Sequence, residues 1–155
     1  MKQLQNIPTK NRFHGLFSLA LLDIATVLAL YVISKASMVM AASYFLISVA
    51  CFGLIVYFFC GKCLSRQNCG HVFFGPLTKK LPSREQSQYS FTDYFMTVFA
   101  LLVFFTIPQF WLWESISFGI IYWILVVFSL IEVQFFVCKT CHNSRCPNCP
   151  KLLTF

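Results

Sequence analysis

Four long apolar stretches run along the chain, at about residues 16–34, 38–59, 94–110 and 116–137. Crossing a hydrocarbon core of about 30 Å takes roughly 20 helical residues, and all four qualify, the third narrowly. Buried helices of a water-soluble protein are the competing reading, but four of them with so few charges would leave no polar face for water. The pattern therefore predicts an all-α membrane protein, a four-transmembrane-helix antiparallel bundle forming a single domain over residues 1–155.

The polar gaps set its organisation. Connections at Lys35–Ser37 and at about Trp111–Ser115 are too short for anything but antiparallel neighbours. The sizeable segments outside the bundle are the loop 60–93, with turn chemistry at Gly75-Pro76 and Leu81-Pro82-Ser83, and the tail 138–155. Pro108, which lacks a backbone N–H, is expected to end or bend the third helix. The first stretch has features of a signal peptide, a basic lead (Lys2, Lys10, Arg12) and a small-residue triplet, Ser34-Lys35-Ala36. It is longer than the usual apolar core of about 7–15 residues and Asp23 interrupts it, so a retained helix is expected.

Composition agrees with the membrane reading: the chain is 58% hydrophobic and 11% charged, with a mean hydropathy of +0.71. The net charge of +7 does not mark a nucleic-acid binder, because no basic domain stands apart from the apolar stretches. It marks orientation. Of 12 Lys and Arg residues only Lys35 falls in a short hairpin; the others precede the first span, lie in the loop 60–93 or follow the fourth span. The positive-inside rule makes that face cytoplasmic and places both termini there. Trp111 and Trp113 fall at the opposite boundary and Tyr89 and Tyr94 at the cytoplasmic start of the third span, as aromatic belts do.

Seven of the eight cysteines fall in two groups on that face, and Cys51 sits inside a span as a small apolar side chain. Cys60-x2-Cys63, then Cys69-x-His71, open the loop; Cys138-x2-Cys141 and Cys146-x2-Cys149 open the tail. A C-x2-C spacing lets two thiolates grip one ion while the backbone curls around it, and a tetrahedral zinc site needs four such ligands. Cys60, Cys63, Cys69, His71, Cys138, Cys141, Cys146 and Cys149 make eight ligands, enough for two sites.

Four chemistries fit such a set. Cys138-x2-Cys141-His142 has the spacing of covalent haem c attachment, but that occurs on the outer side and would leave two cysteines over. An iron–sulfur cluster is compatible with prolines after Cys146 and Cys149, although the tail's C-x2-C-x4-C-x2-C departs from the ferredoxin run. Dithiol redox chemistry or soft-metal relay suits the paired spacing but not a reducing face. Structural zinc needs no further assumption and would give two short segments a core of their own. Quinone-coupled disulfide-forming proteins also have four helices, and membrane palmitoyltransferases also carry a zinc loop between spans. Neither resemblance extends past helix count and C-x2-C, so neither transfers a role.

Two carboxyls fall within spans, Asp23 in the first and Glu132 in the fourth. Counted from the apolar boundaries they lie at matching depth, which raises the expectation that they face each other across the bundle. There they would serve as polar glue, or as a proton or ion path. His14 is expected to be a polar anchor at the interface. The functional expectation is a non-catalytic membrane subunit or accessory protein with a cytoplasmic zinc lobe that docks a partner. The alternatives are a membrane electron-transfer protein and a soft-metal transporter.

Overall fold

The computed structural model describes residues 9–63, 77–78 and 89–138, with side chains from Phe13 onward. No strand occurs among the described residues. Four of the apolar stretches form helices long and apolar enough to cross a membrane, at Phe13–Ala36, Met38–Lys62, Phe91–Leu112 and Ile116–Val137. Helix α1 spans Thr9–Ala36 and α2 spans Met38–Phe58, followed by a 3-10 turn at Cys60–Lys62. The third span is a pair, α3 at Phe91–Thr106 and the short α4 at Gln109–Leu112; α5 runs over Ile116–Glu132 and ends in a π-turn at Val133–Val137.

The connections obey local chemistry. One extended residue, Ser37, separates α1 from α2; its hydroxyl accepts from the Met40 N–H and caps α2. Ser90 and Asp93 form a reciprocal capping box that starts α3 three residues before the apolar run begins. Pro108 interrupts the third span as its missing N–H requires, and serves as the N-cap of α4. The carbonyl of Phe104, four residues before the proline, thus has no N–H to accept from in the helix pattern. The hydroxyl of buried Tyr44, on α2, donates to it at 3.3 Å.

The helices alternate in direction. α1 packs along α5 and α2, and α2 packs along α3. The buried positions are spaced for helix–helix seams: Ala41, Tyr44, Ser48 and Cys51 on α2, and Gly119, Tyr122, Val126 and Ser129 on α5. Both repeat at three and four residues, the period of left-handed packing. Most of these side chains are small, as are Ala25 and Ala29 on α1 and Thr97 and Ala100 on α3. Small residues let helix backbones approach closely. A core of Ala25, Ala29, Ile33, Ala41, Tyr44, Leu112, Tyr122 and Val126 fills the half of the bundle toward the hairpins. Large apolar side chains point outward instead, Phe95, Phe99, Phe110, Phe128 and Phe135 among them.

Candidate functional site

At the end of the bundle opposite the hairpins, polar groups replace the apolar core. α2 and α5 both finish there, and so the described cysteines Cys60, Cys63 and Cys138 share this end; all three are half-buried. Cys60 opens the 3-10 turn and Cys63 caps it, its N–H bonded to the Cys60 carbonyl at 3.1 Å. A 3-10 turn has three residues per turn, so positions i and i+3 stand over one another. The Cys60–Cys63 spacing is thus presented on one side of a turn. Cys138 follows the π-turn, its N–H reaching back five residues to the Val133 carbonyl; such wide turns re-aim the residues after them.

The base of the loop is tied shut. Lys62, between the two cysteines, places Nζ 2.6 Å from Asp93 Oδ2. The same carboxylate oxygen accepts from the Ser90 N–H at 2.8 Å and the Ser90 hydroxyl at 2.7 Å. Tyr89 donates its hydroxyl to the Phe59 carbonyl at 3.2 Å and stacks on the Phe59 ring. Cys63 and Tyr89, the described residues at the two edges of the loop, therefore sit beside adjoining anchored points.

A second polar seam joins α1 to α5. His14 Nδ1 is hydrogen-bonded to Glu132 Oε2 at 2.8 Å, and its ring stacks on Phe136 with centroids 4.4 Å apart. One turn deeper, the Ser129 hydroxyl donates to the Ser18 carbonyl at 2.8 Å, and Ser18 donates to Gly15.

These contacts correct the expectation that Asp23 faces Glu132. Glu132 sits at the level of His14, and Asp23 lies nine residues further along α1, about 13 Å of helix rise. The boundary count failed because α1 begins well before the apolar stretch does, at Thr9. Asp23 also points away from the bundle and is exposed. Asp23 and Glu132 therefore do not face each other across the bundle. His14, expected to be a polar anchor at the interface, is also the hydrogen-bond partner of Glu132. The Lys62–Asp93 pair was not anticipated at all: Lys62 read as one of many loop cations and Asp93 as a loop boundary.

Of the eight expected ligands, Cys69, His71, Cys141, Cys146 and Cys149 lie outside the described residues, as does His142 of the haem-like signature. Among the described residues no group of three or more His, Cys, Asp or Glu side chains is placed to hold a metal ion. Comparison of the chain with protein-family models, with curated proteins and with solved structures finds no match to any of them.

Proposed function

We propose that this chain is a four-span membrane protein with both termini cytoplasmic, whose cysteine end binds zinc and docks a partner protein as a non-catalytic subunit or accessory factor. The observation that carries the reading is the shared position of Cys60, Cys63 and Cys138 at one end of the bundle, with the loop between Cys63 and Tyr89 closed at its base. Membrane insertion is supported by the four apolar helices and by the outward-facing large apolar side chains. Orientation is supported by Lys35 being the single basic residue in the hairpins.

In this reading Cys60, Cys63, Cys69, His71, Cys138, Cys141, Cys146 and Cys149 supply the thiolates and imidazole. Zinc would stabilise what the loop and tail are too short to stabilise by packing, since metal binding free energy becomes folding free energy in such segments. Lys62, held against Asp93, fixes the turn that carries the first pair. The bound lobe then presents one rigid surface on the cytoplasmic face.

Purification without chelator under anaerobic conditions, followed by elemental analysis and a visible spectrum, tests this. The expected result is a colourless protein with about two zinc ions per chain, the stoichiometry of eight ligands in tetrahedral sets. Cys60→Ser and Cys138→Ser lower that content, and Cys51→Ala does not. A brown preparation containing iron and labile sulfide would replace the zinc reading with electron transfer. A metal-free preparation ends both. Labelling of Cys146 by an impermeant thiol reagent from outside intact cells would reverse the orientation.

A further inference from the structure

The described charged side chains fall into two kinds, with one exception. Lys62 and Asp93 neutralise each other, and Glu132 is bonded to His14. Lys35 and Glu114 stand at the hairpin end, Lys35 with Nζ 5.0 Å from the centre of the Tyr31 ring. Asp23 is the exception. It is exposed, and among the described residues it has no hydrogen-bond or ion-pair partner. It stands ten residues inside one end of the first apolar span and thirteen inside the other, Phe13–Ala36, or about 15 Å and 20 Å from them.

On the membrane reading proposed above, on which this inference rests, that carboxyl meets lipid near the bilayer midplane. Ionisable groups in membranes almost always face a bundle interior or a partner, because leaving one in hydrocarbon is costly. The other described ionisable side chains away from the hairpin end follow that rule, Lys62, Asp93 and Glu132 each being paired. The side chains one turn to either side of Asp23 on the same face, Ala20 and Val27, are both exposed, so nothing in the described bundle covers this face, and the small Ala20 lets another helix come close. A second copy of the chain does not satisfy the carboxylate: no basic side chain in the described spans lies at this depth, and like carboxylates repel. Charge complementarity selects a different occupant. We infer that the Ala20–Asp23–Val27 face of α1 docks a transmembrane helix of another protein that carries a Lys or Arg near its midpoint.

The test uses the full chain, fluorescently tagged at its N-terminus and reconstituted in phosphatidylcholine vesicles. The probes are dye-labelled Leu/Ala-rich transmembrane peptides with a central Lys, a central Leu or a Lys at one end. Energy transfer should show the central-Lys peptide associating about five- to thirty-fold more tightly than the other two, the span of a polar contact between membrane helices. Asp23→Leu should abolish the preference, Asp23→Glu keep it and Glu132→Gln leave it unchanged. Equal association of the three peptides overturns the inference, as does a preference that survives Asp23→Leu. Self-association of the tagged chain that vanishes in Asp23→Leu also overturns it, in favour of a second copy. Alkaline extraction separates the two levels: a chain released from the vesicles overturns the membrane reading and this inference with it. A chain retained without a preference overturns the inference alone.

Discussion

Lys62 and Asp93, 31 residues apart in sequence, form a buried ion pair at 2.6 Å across the mouth of the loop, with side chains 9% and 1% exposed. Asp93 does two jobs with one oxygen: it completes the capping box of α3 and receives the ammonium that ends the turn after α2. Folding of the third span and positioning of the Cys60–Cys63 turn are therefore coupled through a single carboxylate.

Breaking the pair on one side leaves the other charge buried. Lys62→Met and Asp93→Leu should each destabilise the protein by about 3–5 kcal/mol, and the double variant should recover most of that, because it strands no charge. Ser90→Ala, which removes both hydrogen bonds of the Ser90 hydroxyl with Asp93 and leaves the ion pair, should cost about 1 kcal/mol. Reversible unfolding in mixed micelles measures all four. A double variant no more stable than the worse single one would show that the pair carries more than mutual neutralisation.

The helices were legible because their signal is long: about 20 apolar residues leave few alternatives, and Pro108 marks its own break. What the pattern could not give was depth and facing. Apolar boundaries do not mark helix starts, so α1 runs seven residues earlier than its apolar stretch and Asp23 was matched to the wrong level. Lys62 and Asp93 were hidden by their position at the edges of a polar loop, where charged residues are usually solvated. Their one local signal was the Ser90-x2-Asp93 spacing, which announces a helix start and hence a fixed carboxylate. The cysteine groups were conspicuous in sequence for the opposite reason, since C-x2-C is a short-range pattern that needs no knowledge of packing.

His14 and Glu132 join two helix ends that face each other, one near the start of α1 and the other at the close of α5; their side chains are each 18% exposed. A double-variant cycle of His14→Leu and Glu132→Leu should give a coupling of about 1.5–3 kcal/mol, the range for hydrogen bonds that involve a charged group. Glu132→Gln, which keeps an acceptor for the imidazole, should retain part of it. A coupling near zero in thermal unfolding would mean that the α1–α5 seam is held by Ser18, Ser129 and the small side chains alone.

Those small side chains give a prediction of size rather than polarity. Ala29 and Ala100 are completely buried, on α1 and α3 respectively. Enlarging either to Leu should cost about 1–3 kcal/mol by forcing adjoining helices apart. The same change at Ala20 or Ala50, both exposed, should leave stability nearly unchanged. Unfolding midpoints in one detergent compare the four directly, and equal midpoints would mean that the seams are looser than their burial implies.

Tyr44 is the side chain through which the break at Pro108 is made tolerable. The proline withholds an N–H from the Phe104 carbonyl, and the Tyr44 hydroxyl supplies a donor in its place from the neighbouring helix. Removing that hydroxyl in Tyr44→Phe should cost about 1 kcal/mol, the net worth of a part-buried hydrogen bond. Pro108→Ala restores the N–H, so Tyr44→Phe made in that background should cost much less. If Tyr44→Phe costs the same with proline or alanine at 108, the hydroxyl is not replacing the missing amide. The ring of Tyr44, stacked beside Phe104, would then be its whole contribution.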